Sequence, residues 1–136
     1  MSDADFMQAL ESCSLPAGQF DHAAHVRAAY SCLRQGDFAA GLQRLRAAIR
    51  NYAGFLGKPE RYHETVTVAF ASLIQQHLVE RGDAGDWFTF ARQNPELFER
   101  DLLLRFYSLE ELSSPLARQT FLLPRAHKAA ASRSAS

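Results

Sequence analysis

Apolar residues recur at helical spacing along most of the chain, and residues that start or end helices stand between these runs. Asp21 and Asp37 each precede a stripe with a period near 3.6, and Gly36 and Gly57 follow where stripes end. An Asp side chain accepts from the unpaired N–H groups of a helix start, and Gly lets the backbone leave a helix. Because no segment of useful length shows the alternation of a strand, the sequence predicts an all-α fold.

The caps divide the chain into a single-domain bundle of five to six helices. We expect the fourth helix to begin at Pro59, whose missing N–H costs nothing in a first turn, and Ser108 and Glu111 to form a capping box. The predicted helices span about 3–13, 21–35, 37–57, 59–81, 86–92 and 96–106. Residues 1–125 form the predicted domain, and residues 126–136, rich in Ala, Ser, Lys and Arg, a disordered tail.

Composition excludes several classes of function. The 136 residues include 15 basic and 15 acidic ones, for a formal net charge of +0, and a nucleic-acid binder would show a basic excess or stripe. The chain has neither a signal-peptide pattern nor an apolar run long enough for a membrane span. Cys13 and Cys32 fit buried thiols. We therefore expect a cytoplasmic protein without nucleic-acid or membrane partners.

Three histidines carry the most concentrated chemistry of the sequence. His22 and His25 are three residues apart and share a helix face, and His63 lies at the start of another predicted helix. Three neutral imidazoles form a ligand set that Zn, Cu, Fe and Ni accept, with a position left for water or substrate. The positive end of the helix dipole disfavours imidazolium and so keeps these rings able to bind metal. The pattern predicts a divalent transition metal at this site.

Residues beside His63 complete the predicted site. Glu64 is a candidate fourth ligand, a carboxylate behind the ligands or a general base, and Tyr62 and Thr67 are candidates for orienting substrate. We therefore expect a metal-dependent enzyme that acts on a small polar molecule. The sequence does not distinguish an oxidoreductase from a hydrolase or a lyase.

Two alternatives remain open at this point. The histidines are structural if each is simply hydrogen-bonded at its helix start. The protein would then be a non-enzymatic interaction or ligand-sensing module, which should expose an apolar patch. A metal carrier without turnover is the other alternative. The sequence leaves the oligomeric state undetermined.

Three motifs together resemble an uncharacterised family of small bacterial all-helical proteins. They are F-x-H-x-x-H-V-R from Phe20, Y-H-E-T-V-T from Tyr62, and P-E-L-F-E-R-D-L-L-L-R-F-Y-S from Pro95. The resemblance extends from about Phe20 to Pro124 and includes Thr65 among its matching positions. It implies a bacterial origin but no activity or substrate.

Overall fold

The computed structural model describes residues 1–99 and 101–125, and this part of the chain is helical and contains no strand. The helices are α1 (Asp3–Glu11), α2 (His22–Leu33), α3 (Phe38–Phe55), α4 (Glu64–Arg81), α5 (Trp87–Gln93), α6 (Leu109–Leu112) and α7 (Pro115–Gln119). Short 3₁₀ turns cover Ala17–Gln19, Pro59–Arg61, Pro95–Phe98 and Leu102–Arg105. The all-α prediction is confirmed, and five helices of seven residues or more agree with the expected five to six. The predicted tail lies outside the described residues.

The helix starts follow from the caps that the sequence contains. Asp21, Asp37 and Asp86 accept from the backbone N–H three residues later, at 2.8–2.9 Å. Ser108 and Glu111 form both bonds of the predicted capping box. Because each cap satisfies N–H groups that the helix leaves unpaired, these starts are determined locally.

Two predicted helices differ from the structure. Pro59 begins a 3₁₀ turn, and α4 begins only at Glu64, with His63 as its N-cap. The predicted helix over 96–106 is replaced by two 3₁₀ turns, which bury Leu97 in the first and Leu102 and Leu103 in the second. On a single helix Leu97 and Leu102 would lie about 140° apart, so one face could not bury both. Burial therefore overrides local helix preference here.

The core is built around α2. This helix buries eight of its twelve residues and packs against α1, α3 and α4. Tyr30 is fully buried, stacks on Phe90, and donates its hydroxyl proton to Asp83 at 2.8 Å. Phe55, the last residue of α3, is 66% exposed and lies outside this core.

A glycine allows α2 and α3 to approach closely. A Cβ atom on Gly41 would stand 2.7 Å from the carbonyl oxygen of Cys32 and 3.0 Å from Cδ2 of Leu33. The first of these distances is shorter than real Cβ contacts allow, and the nearer atom belongs to backbone that cannot rotate away. The glycine therefore determines how tightly the two helices pack.

We predict that Gly41→Ala destabilises the fold. Overpacking of a core contact costs about 1–3 kcal/mol, while the better helix propensity of Ala returns up to about 1 kcal/mol, so we expect a net loss of about 1–2 kcal/mol. Urea denaturation followed by circular dichroism measures this free energy of unfolding. Gly54→Ala is the matched control in the same helix, because a Cβ there has no heavy atom within 4 Å. Equal stability of the two variants would contradict the packing role of Gly41.

Candidate functional site

A cavity of about 310 Å³ lies between the first turns of α2 and α4 and the middle of α3. We call it the α2–α4 pocket. Most of its lining is apolar and consists of Phe20, Val26, Ala29, Leu45, Ile49, Val66 and Phe70. Its polar residues lie at the two helix starts and are Asp21, His22, His25 and Thr67. An apolar cavity with a few convergent polar groups is the usual form of a small-molecule site.

His25 is held in one tautomer. Its Nδ1 lies 3.0 Å from the carbonyl oxygen of Asp21, and a carbonyl only accepts, so Nδ1 carries the proton. In the neutral ring the lone pair is therefore on Nε2. The ring stacks on Phe20 with centroids 4.0 Å apart and lines the pocket. Part of His25 is exposed to water. Burial of the rest of the side chain lowers the pKa of His25, and the nearby His22 lowers it further.

His22 enters the same pocket with the opposite ring nitrogen engaged. Its Nε2 donates to the carbonyl oxygen of Leu97 at 3.0 Å, which leaves the lone pair of the neutral ring on Nδ1. The edge of the ring packs against Phe70, with centroids 5.0 Å apart. Both imidazoles of α2 thus line one cavity, and each keeps one ring nitrogen available as an acceptor or ligand.

The structure does not bring His63 together with these two histidines. As the N-cap of α4, it accepts the N–H of Val66 on Nδ1 at 3.1 Å and donates from Nε2 to the carbonyl oxygen of Leu112 at 2.7 Å. Both ring nitrogens are therefore engaged, and the residue does not line the pocket. Across residues 1–99 and 101–125, no group of three His, Cys, Asp or Glu side chains is arranged to hold a metal ion. Metal binding itself stays a prediction, with His22 and His25 as the histidines whose nitrogens are available.

Glu64 and Tyr62 form a polar pair beside the pocket. The Tyr62 hydroxyl donates to Oε1 of Glu64 at 2.5 Å, and Nε of Arg46 donates to the same oxygen at 3.0 Å. Burial alone would raise the pKa of Glu64, but the hydrogen bonds from Tyr62 and Arg46 outweigh it and lower that pKa. Burial and the bond to Glu64 raise the pKa of Tyr62 to about 12. The pair therefore consists of a carboxylate and a neutral phenol at neutral pH.

Of the three predicted catalytic residues, only Thr67 lines the α2–α4 pocket. Its hydroxyl donates to the carbonyl oxygen of His63 at 2.8 Å, so the oxygen is left as an acceptor. Tyr62 lines a neighbouring recess instead and, together with Glu64, a second recess beside it. The prediction of one site for all three followed from their closeness to His63 in the sequence, and His63 does not line the pocket.

The neighbouring recess contains residues that the sequence did not single out. It has a volume of about 460 Å³ and shares Phe20, His25 and Ile49 with the α2–α4 pocket. Its charged residues are Lys58, Arg61 and Arg118, and we call it the basic recess. A chain with a net charge of +0 gives no sign of such a local excess, and Arg118 comes from a distant segment.

Comparison of the chain with family models, with curated proteins and with solved structures gives no match. The resemblance of its motifs to a bacterial family therefore stays a prediction. Among the described residues, no helix is both long enough and apolar enough to cross a membrane.

The cap at α4 predicts a stability role for His63. His63→Ala removes the bond to Val66 and the bond to Leu112, so we expect the free energy of unfolding to fall by about 1–3 kcal/mol. His63→Asn keeps an N-cap acceptor and should lose less. Thermal and urea unfolding of both variants measure the difference. If both substitutions lower the free energy of unfolding equally, the N-cap bond contributes nothing and the stability role of His63 is wrong.

The lowered pKa of His25 predicts a pH-dependent contribution to stability. The unfolded chain binds the imidazole proton near the ordinary value of 6.5, and the folded state binds it only at lower pH. As the pH falls below 6.5, the free energy of unfolding therefore decreases. The decrease is complete below the pKa that His25 has in the folded state. We expect the stability of the wild type minus that of His25→Gln to decrease from pH 7.5 to pH 5. Subtraction removes the titrations that both proteins share, and a constant difference would refute the shift.

Proposed function

We propose that the protein is an enzyme that binds a small molecule with an apolar body in the α2–α4 pocket and uses His25 as its general base. One observation supports this most directly. The backbone carbonyl of Asp21 holds the proton on Nδ1, which leaves the Nε2 lone pair of a ring that lines an apolar cavity. A general base needs an unprotonated nitrogen in a fixed orientation beside bound substrate.

The surroundings of His25 suit proton transfer near neutral pH. Its lowered pKa keeps the ring unprotonated before reaction. When Nε2 takes a proton from the substrate, the imidazolium keeps its Nδ1–H bond to the carbonyl oxygen of Asp21, as the orienting partner of a catalytic histidine does. The Nδ1 lone pair of His22 and the hydroxyl oxygen of Thr67 are acceptors that orient donor groups of the substrate.

The lining of the pocket narrows the class of substrate. Seven of its residues present apolar side chains, so the part of the substrate that fills the pocket is apolar. This differs from the small polar molecule expected from the histidines alone. A volume of about 310 Å³ suits a ring system or a short alkyl chain.

A metal-dependent form of this site is the second candidate. His22 and His25 are spaced three residues apart, line one cavity and leave Nδ1 and Nε2 available. Two imidazoles hold Zn, Cu, Fe or Ni only with further ligands, which water and substrate would supply. The predicted ligands His63 and Glu64 are engaged with Leu112 and with Arg46 and Tyr62.

Chemical modification tests the base and the pocket in one experiment. Diethyl pyrocarbonate acylates an unprotonated imidazole nitrogen, so we predict that His25 reacts several-fold faster than His63, as measured by peptide mass spectrometry. Saturating 1-octanol should slow the reaction of His25. Val66→Phe places a large ring in the pocket wall and should abolish this protection.

Val68→Phe is the matched control, because Val68 is partly buried in the same helix but does not line the pocket. It should keep the protection by octanol. Added Zn²⁺ that protects both His22 and His25 would favour the metal-dependent form. An unreactive His25, or one that octanol leaves unaffected in the wild type, would overturn the proposed function.

A further inference from the structure

We propose that the basic recess holds the acidic head group of the molecule whose apolar body fills the α2–α4 pocket. The ligand class is then an organic acid, with a carboxylate or a phosphate monoester on a short apolar body. This inference rests on the proposed function, because it extends the same site into the recess that adjoins it.

The cations of the basic recess have no carboxylate partner. Lys58 and Arg61 form no ion pair within the described chain, and Arg118 donates to the backbone carbonyl of Glu60 at 3.2 Å. No Asp or Glu lines this recess. Most arginines elsewhere in the described residues are ion-paired, namely Arg27, Arg34, Arg44, Arg46, Arg81, Arg105 and Arg125. All three cations are exposed, so water solvates their charge until an anion binds.

The recess and the pocket adjoin each other at three shared residues. Phe20, His25 and Ile49 line both. A molecule that extends from the apolar wall to the cations therefore passes His25, and the junction of its head and body lies beside that ring. The arrangement favours one orientation of the ligand, since the three cations line the recess but not the pocket, and Asp21 lines the pocket but not the recess.

Positive charge is the feature of the recess by which it would recognise a ligand. The hydroxyl protons of Tyr52 and Tyr62, which also line it, are donated to the carbonyl oxygen of Leu15 and to Glu64. The guanidinium group of Arg61 presents a planar fork that matches two oxygens of a carboxylate or a phosphate. An uncharged hydroxyl head group gains much less from such a site than an anion does.

Isothermal titration calorimetry with three probes of equal chain length tests this inference. We expect octanoate or octyl phosphate to bind the wild type at least about tenfold more tightly than 1-octanol, the gain of one charge-assisted hydrogen bond. The double variant Lys58→Gln/Arg61→Gln should lose this preference and keep its affinity for octanol. Neither side chain forms an ion pair in the described chain, so the variant is expected to fold.

Arg92→Gln/Arg105→Gln changes the net charge by the same amount away from the recess and should keep the preference. If octanol binds the wild type as tightly as both anions do, the inference of an acidic head group is wrong, while binding of an apolar body in the pocket is still supported. Absence of binding by all three probes would overturn the pocket as well. Binding to phosphatidylglycerol vesicles without binding of either soluble anion would also overturn the inference, because it would assign the cations to a membrane surface.

Discussion

The burial of α2 between α1, α3 and α4 is the constraint on which the rest of the structure depends. Apolar area removed from water is the dominant favourable contribution to folding, and α2 contributes to it along most of its length. Gly41 allows α3 to lie close against its C-terminal end. The first turn of α2 is its most exposed part, and that turn carries His22 and His25. The candidate site therefore lies where the fold leaves the central helix most open.

The same physical requirement, satisfaction of unpaired N–H groups, has opposite consequences at the starts of α2 and α4. An Asp caps α2, so its histidines keep one ring nitrogen each for other use. A His caps α4, and the cap together with the bond to Leu112 consumes both nitrogens of His63. Three histidines near two helix starts are therefore not equivalent, and the difference lies in which side chain occupies the N-cap.

The local features of the fold could be predicted from the sequence, and the long-range ones could not. The caps at Asp21, Asp37 and Ser108 depend on residues within one turn, and they occur where the sequence indicates. The start of α4 was not predicted, because His is not among the preferred N-cap residues and the bond that also holds the ring of His63 is to Leu112, 49 residues away. The contact of Arg118 with the turn at Glu60 spans 58 residues and has no local signal. The pairing of His22 and His25 was predictable from helical spacing alone.

His25 stands between an apolar pocket and a recess lined by cations. The apolar pocket removes water and lowers the pKa, so the unliganded ring is unprotonated at neutral pH. An acidic head group in the basic recess would place a negative charge near the same ring, and an opposite charge favours imidazolium. A bound organic acid would therefore raise the proton affinity of His25 at the moment when a base is needed. An uncharged ligand in the same pocket would leave the base weaker, so the recess would select for acids in reaction as well as in binding.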